Sequence, residues 1–155
     1  MAKEIERKFL VVNDSYKELC NTALNISQGY ITTDKKAVVR VRTYNEKGFL
    51  TIKGENSGAV RDEWEYPIPV DDAKEMIRKL AGNTVIAKTR YLIDFKGFRW
   101  EVDEFHSPAA GLVVAEIELP DESTEFPLPP FIGEEVTGNP AYYNSSIAAA
   151  GKLNS

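Results

Sequence analysis

The sequence predicts an α+β protein whose antiparallel β-sheet closes on itself, with helices packed outside and charged side chains lining the inside. Three observations lead there. Charged residues recur at two-residue spacing in one stretch after another, which in a strand places them on a single face. The opposite faces carry large apolar groups, including Leu50, Ile52, Trp64, Tyr66, Trp100, Val102 and Ile117. The charged face is also poor in the Ser, Thr, Asn and Gln that an ordinary wet sheet uses. Closing such a sheet turns its charged face into a lumen, and helices are expected to cover the apolar face.

Composition sets the outer limits. At 155 residues the chain has the size of one domain, read here as 1–155, and 43% hydrophobic with 28% charged residues is ordinary for a folded globular protein. A net charge of -5 argues against a protein that coats duplex nucleic acid, although it leaves room for a local cationic cavity. One cysteine, Cys20, excludes an intramolecular disulfide and a cysteine-based metal cluster. Charges occupy the N-terminus where a signal peptide needs an apolar run, and no stretch reaches the length of a membrane span. A cytoplasmic protein without membrane or nucleic-acid partners is expected. The lone histidine, His106, has no partner for a zinc site and receives no chemistry.

The elements follow in order. The opening run Glu4-Ile5-Glu6-Arg7-Lys8-Phe9-Leu10 reads as a strand with Glu4, Glu6 and Lys8 on one face and Arg7 on the other. Asp14 or Ser15 can cap a short helix over 16–24. Residues 26–32 and 37–44 read as a hairpin, the first strand presenting Gln28 and Tyr30, the second Arg40 and Arg42. Turn chemistry at 45–48 leads to a strand over 49–54 with Thr51 and Lys53 on the polar face, and a loop at 55–58 leads to a strand over 59–69 with Glu63 and Glu65. The clearest helix spans 70–82, with Asp71 placed to cap, an apolar stripe of Ala73, Met76, Ile77 and Leu80, and Gly82 as its stop. Strands over 84–95, 98–105 and 112–119 then contribute Lys88 and Arg90, then Arg99, Glu101 and Asp103, then Glu116 and Glu118. The acidic, proline-rich run 120–130 suits an ordered loop, 133–138 a short edge strand, and 141–150 a final helix opened by Asn139-Pro140 and stopped at Gly151.

Enclosing so many charges is unfavourable by several kcal/mol for each unpaired ion, so such a lumen suits water, ions and a charged ligand. Metal-assisted phosphoryl transfer uses both signs together. Arginine grips phosphate oxygens bidentately and lysine acts as a point charge, while carboxylates hold Mg²⁺ or Mn²⁺ through oxygen. Carboxylates alone would repel a polyphosphate, and no Gly-x-x-x-x-Gly-Lys-[Ser/Thr] loop is present to cradle one.

Glu4-Ile5-Glu6-Arg7-Lys8 resembles the Glu-x-Glu-x-Lys signature of the CYTH, or triphosphate tunnel metalloenzyme, family in its bacterial single-domain form. The likeness continues through Arg40/Arg42, Lys53, Glu63/Glu65, Lys88/Arg90, Glu101/Asp103 and Glu116/Glu118 to Val136-Thr137-Gly138 and Tyr143-Asn144-Ser145-Ser146-Ile147-Ala148. The resemblance implies a closed antiparallel eight-stranded tunnel. It implies that Lys8, Arg40, Arg42, Lys53, Lys88 and Arg90 bind triphosphate, and that Glu4, Glu6, Asp103, Glu116 and Glu118 bind two ions of Mg²⁺ or Mn²⁺. Glu4, Glu6 and Lys8 would be catalytic; Glu63, Glu65 and Glu101 match tunnel carboxylates without separable roles, and Arg99 lies outside the pattern. Tyr30 reads as packing or as a hydroxyl near the phosphates. The implied reaction is hydrolysis of tripolyphosphate to pyrophosphate and phosphate. Class IV adenylate cyclase, thiamine triphosphatase, nucleoside triphosphatase and a non-catalytic polyphosphate-binding module are the alternatives. Oligomeric state, and whether the last helix covers the outside or plugs one mouth, stay open at this level.

Overall fold

The computed structural model describes residues 3–154, with side chains through residue 150. Its strands are β1 (Lys3–Val11), β2 (Thr22–Thr32), β3 (Val38–Tyr44), β4 (Lys47–Lys53), β5 (Val60–Ile68), β6 (Val85–Phe95), β7 (Phe98–Ser107), β8 (Val113–Glu118) and β9 (Ile132–Glu135). Eight of them run in the order β5-β4-β3-β2-β6-β7-β8-β1, and antiparallel pairing of Lys3–Ile5 with Val60–Asp62 closes the ring. The predicted eight-stranded barrel is therefore present, with β9 as an additional strand on β1.

One edge of β1 is shared. Its first residues pair with β5 and its last with β9, while between them Glu6 N donates to Ala59 O at 3.0 Å and Lys8 N to Thr137 Oγ1 at 2.9 Å. The other edge pairs with β8, setting Glu6 opposite Glu118 and Lys8 opposite Glu116. Two-residue turns join β3 to β4 and β6 to β7, and both put positive φ on their central residues, Asn45 and Glu46 in one, Lys96 and Gly97 in the other.

Three helices accompany the barrel. The first, α1 (Tyr16–Leu19), is only one turn, shorter than the predicted 16–24, because Thr22 to Asn25 pair with β6 as the start of β2. Cross-strand pairing outweighs the weak helix preference of Thr and Asn. The predicted 70–82 helix is present as α2 (Val70–Met76) followed by a wider π-helical turn (Ile77–Ala81), but Asp71 does not cap it: Pro69 holds the cap position without a side-chain bond, and Gly82 at φ 56° ends the run. This helix lies so close to the barrel that a Cβ on Gly29 would fall 2.6 Å from Ala81 Cβ, and one on Gly48 2.8 Å from Ala73 Cβ.

The outer apolar face is only partly covered. Phe9, Tyr16, Ile93, Trp100, Val102, Ile117 and Phe131 form one core, closed by α1 and by the 120–130 loop, whose Phe126 ring meets Trp100 at 5.7 Å. On β4 and β5, Ile52, Trp64 and Tyr66 stay 37%, 36% and 55% exposed, so the expectation of helical cover fails for that strip. No described helix is long and apolar enough to cross a membrane.

The last helix, α3 (Asn144–Asn154), runs past Gly151 and follows a 3-10 turn (Pro140–Tyr142) capped by the Asn139 side chain. It plugs the barrel. Ile147 and Ala148 pack against Tyr30, Val38, Ile86, Phe105 and Val114, residues that share the inward face of their strands with the charged positions. Tyr30 packs in this cluster while also lining the lumen, its hydroxyl accepting from Gln28 Nε2 at 2.8 Å.

Candidate functional site

Alternation along each strand places every predicted site residue toward the lumen, and ion pairs join all of them but Glu6 and Glu118 across strands. Lys8 Nζ meets Glu116 at 3.3 Å; Lys53 Nζ meets Glu4 and Glu63, each at 3.2 Å; Arg40 and Arg42 both face Glu65 at 3.5 Å. At the plugged end, Arg90 takes Asp103 with Nε and Nη2 at 2.8 and 2.9 Å and Glu101 at 3.1 Å, while Lys88 Nζ meets Asp103 at 2.8 Å. Both Lys88 and Asp103 side chains are 1% exposed. Glu118 and Glu65 lie toward water. Arg99 instead pairs with Asp94 on the exposed β6–β7 hairpin, outside the constellation.

Several participants carried no charge signal. Thr51, fully buried, accepts from Arg40 Nη2 at 3.3 Å and donates to Glu65 at 3.2 Å. Asn144, at the head of α3, accepts from Lys88 Nζ at 2.9 Å and from Gln28 Nε2 at 3.4 Å, and the Tyr142 carbonyl accepts from Lys8 Nζ at 2.9 Å. The plug thus reaches two of the predicted phosphate ligands. Gln28 and Thr51 share the lumen parity of their strands, the one signal that could have found them.

The electrostatics divide the carboxylates. Burial, then the charges of Glu116 and Glu4, push Glu6 well above the usual carboxylate range. Burial also raises Glu4, against Lys53, and Glu118, with Glu4 and Glu101 adding. Burial would raise Glu116 too, but Lys8, Arg90 and Lys88 outweigh it and bring it to about 2. Arg90 and Lys88 likewise overcome burial at Asp103 and hold it far below its ordinary value. Burial lowers Arg42 to about 10, with Arg40 and Arg90 adding.

This site suits an anionic ligand together with a hard cation. Arg40 Nε and Arg42 Nε are buried with no hydrogen-bond partner, two donors that an oxyanion would satisfy. Glu4, Glu6 and Glu116 line the same cavity as Lys8, Arg40, Lys53, Lys88 and Arg90, and an all-carboxylate oxygen set is what Mg²⁺ or Mn²⁺ takes. Burial of Glu6 beside the charges of Glu116 and Glu4 is a cost that a divalent cation would relieve. Among the described residues no three such side chains are already gathered at metal-binding distance, because Lys53 and Lys8 stand between the carboxylates. The cavity is about 60 Å³, space for a few waters, as cross-strand pairing fills the lumen.

A closed antiparallel barrel with a charge-lined, plugged lumen defines the class: a tunnel protein built to hold a polyanion through side chains. The chain belongs to the CYTH domain family, whose match spans residues 2–148. It is 53% identical over 147 residues to an inorganic triphosphatase of Acetivibrio thermocellus, covering 95% of this chain and 94% of the relative. It is 36% identical over 151 residues to an inorganic triphosphatase of Nitrosomonas europaea, covering 94% and 96%. The solved structure of the inorganic triphosphatase NE1496 superposes with a TM-score of 0.66 at 31% identity, covering 94% of this chain and 97% of that one.

Proposed function

We propose that this protein is a cytoplasmic, divalent-metal-dependent inorganic triphosphatase that hydrolyses tripolyphosphate, with one water consumed and pyrophosphate and orthophosphate released. The observation that carries the reading is the union, in one lumen, of six cations with a carboxylate set whose members repel one another. Lys8, Arg40, Arg42, Lys53, Lys88 and Arg90 face Glu4, Glu6, Glu63, Glu65, Glu101, Asp103, Glu116 and Glu118, so among the predicted residues the formal balance is six positive against eight negative. A bare polyphosphate gains little from such a cavity, and a metal complex of it gains much. The relatives named inorganic triphosphatase support the same substrate class.

Glu4, Glu6, Glu116 and Glu118 would hold Mg²⁺ or Mn²⁺, which when bound supplies charge neutralisation at phosphate oxygens and a more acidic water. Lys8, Arg40, Arg42 and Lys53 bind and orient the phosphate chain, exchanging their carboxylate partners for substrate oxygens, and stabilise charge on the transferred and leaving groups. Asp103 takes a first task other than metal binding in this reading, which is supported by Lys88 and Arg90 already occupying both of its oxygens. It aims those two cations. The plug excludes water from the far end and orients Lys88 through Asn144.

Phosphate release from tripolyphosphate, ATP and thiamine triphosphate, with Mg²⁺, Mn²⁺ or EDTA, tests the reading. Metal-dependent turnover with tripolyphosphate preferred is expected. A preference for ATP or thiamine triphosphate would reassign the substrate, and no turnover of any of them would leave a binding module.

A further inference from the structure

Beside the lumen lies a second cavity of about 190 Å³. Val38, Asn56, Arg61, Tyr143 and Ser145 line both, so the two spaces adjoin. The position follows from topology. Where the edge of β1 passes from β5 to β9, no strand runs alongside, and the 55–59 loop and the turn before α3 meet there instead.

Arg61 stands at this junction. In register it lies directly opposite Glu4, yet Glu4 pairs with Lys53. The Arg61 Nε donates to Gly54 O at 2.9 Å and its guanidinium lies 5.8 Å from the centre of the Tyr143 ring. All six lumen cations named above have a carboxylate partner; Arg61 has none among the described residues, and its terminal amino groups donate to no described protein atom. The same cavity is lined by Lys35 and by Ser145 and Ser146 in the first turn of α3, where backbone N–H groups have no intrahelical acceptor. Glu55 is the single carboxylate in the lining.

We propose that this side cavity is a phosphate subsite joined to the tunnel, with Arg61 binding a tetrahedral phosphoryl group that lies beyond the three held in the lumen. The inference rests on the triphosphatase reading for the occupancy of the lumen. Two sources share this chemistry: the fourth phosphoryl unit of a longer linear polyphosphate, and free orthophosphate. The guanidinium offers them a bidentate partner with no internal carboxylate to displace, unlike any of the six paired cations.

Calorimetric binding separates this proposal from the catalytic one, because it needs no turnover. The full chain carrying Glu6→Gln, with Mg²⁺ present, is titrated with tripolyphosphate, with tetrapolyphosphate, and with orthophosphate after saturation by tripolyphosphate; ³¹P NMR confirms that the ligands stay intact. Tetrapolyphosphate binding about tenfold tighter than tripolyphosphate identifies the chain-extension source, and uptake of orthophosphate by the loaded protein identifies the free one. In either case adding Arg61→Ala removes the increment and Arg61→Lys restores part of it, whereas Arg40→Ala weakens both chain lengths alike. Equal affinity for the two chains with no orthophosphate uptake, or an increment that survives Arg61→Ala, overturns the proposal. Absence of turnover by the unmodified enzyme would overturn the catalytic reading and leave these binding results standing.

Discussion

Arg90 holds Asp103 at both ends, Nε to Oδ1 at 2.8 Å and Nη2 to Oδ2 at 2.9 Å, and Lys88 shares the second oxygen. A carboxylate so deeply buried balances two cations that have no water to turn to. Removing one partner of a buried pair costs about 3–5 kcal/mol. Asp103→Ala is therefore expected to lower unfolding stability by that amount, read from urea denaturation in EDTA, and to raise KM for tripolyphosphate as Lys88 and Arg90 lose their alignment. A loss of less than about 1 kcal/mol would remove Asp103 from this role.

Glu6 shows the opposite balance. Its raised pKa means that the folded, metal-free protein holds a proton there which the unfolded chain releases, so stability falls as pH rises from the ordinary carboxylate value through the raised one. Glu6→Gln removes this penalty. The variant is expected to lose turnover while matching or exceeding the parent's thermal stability at neutral pH in EDTA, with a flatter pH profile. An active Glu6→Gln enzyme would end its assignment to the metal.

Burial pushes Lys88 down to about 8, with Arg90 adding and Asp103 opposing. Above that pH the free enzyme loses one of the charges proposed to bind phosphate. The value of kcat/KM for tripolyphosphate is expected to decline as pH passes about 8, a limb that reports the free enzyme. Asn144→Ala, which frees Lys88 from the plug, should raise KM several-fold with less effect on kcat. A change confined to kcat would place Asn144 elsewhere in the mechanism.

Arg7 lies outside the lumen, as its parity requires, forking onto Glu135 of β9 at 2.7 and 2.6 Å with its guanidinium 5.0 Å from the Phe126 ring centre. The Arg7 hydrogen bond holds the Glu135 carboxyl below its ordinary value, so its stabilisation is present above that value and fades as pH falls through the lowered one. With both side chains about a third exposed, the pair contributes on the order of 1 kcal/mol or less. Arg7→Ala should keep turnover within a factor of about two and lose a small stability increment at neutral pH that is absent in strong acid. A large loss of activity would show that β9 positions the site.

Most of this arrangement was legible because strand parity is a strict two-residue code: once Glu4, Glu6 and Lys8 share a face, pairing partners with the same code must face them. What escaped was decided across the barrel. Residues 22–25 carry no strong strand pattern of their own, and only the length of β6 draws them into β2. The exposure of Trp64 and Tyr66 reflects where α2 docks, a choice made through Gly29 and Gly48 on other strands. Asn144 and Thr51 are neutral, and their link to Lys88 and Arg40 arises only when the plug and the β3–β4 hairpin are in place. The pairing of Asp103 with Lys88 and Arg90 rather than with its fellow carboxylates likewise depends on depth, which periodicity does not encode.

The pairing of β1 with β8 has a consequence in time. Glu6 faces Glu118 and Lys8 faces Glu116, so this edge of β1 waits for more than a hundred residues before its partner strand is synthesised. Such long-range pairing slows folding, and until it forms the nascent chain exposes a half-charged, half-apolar ribbon. Synthesis stopped before β8 would yield a polypeptide with its signature intact but without Glu116 and Glu118, and the edge of β1 that carries the signature is completed only when that strand arrives.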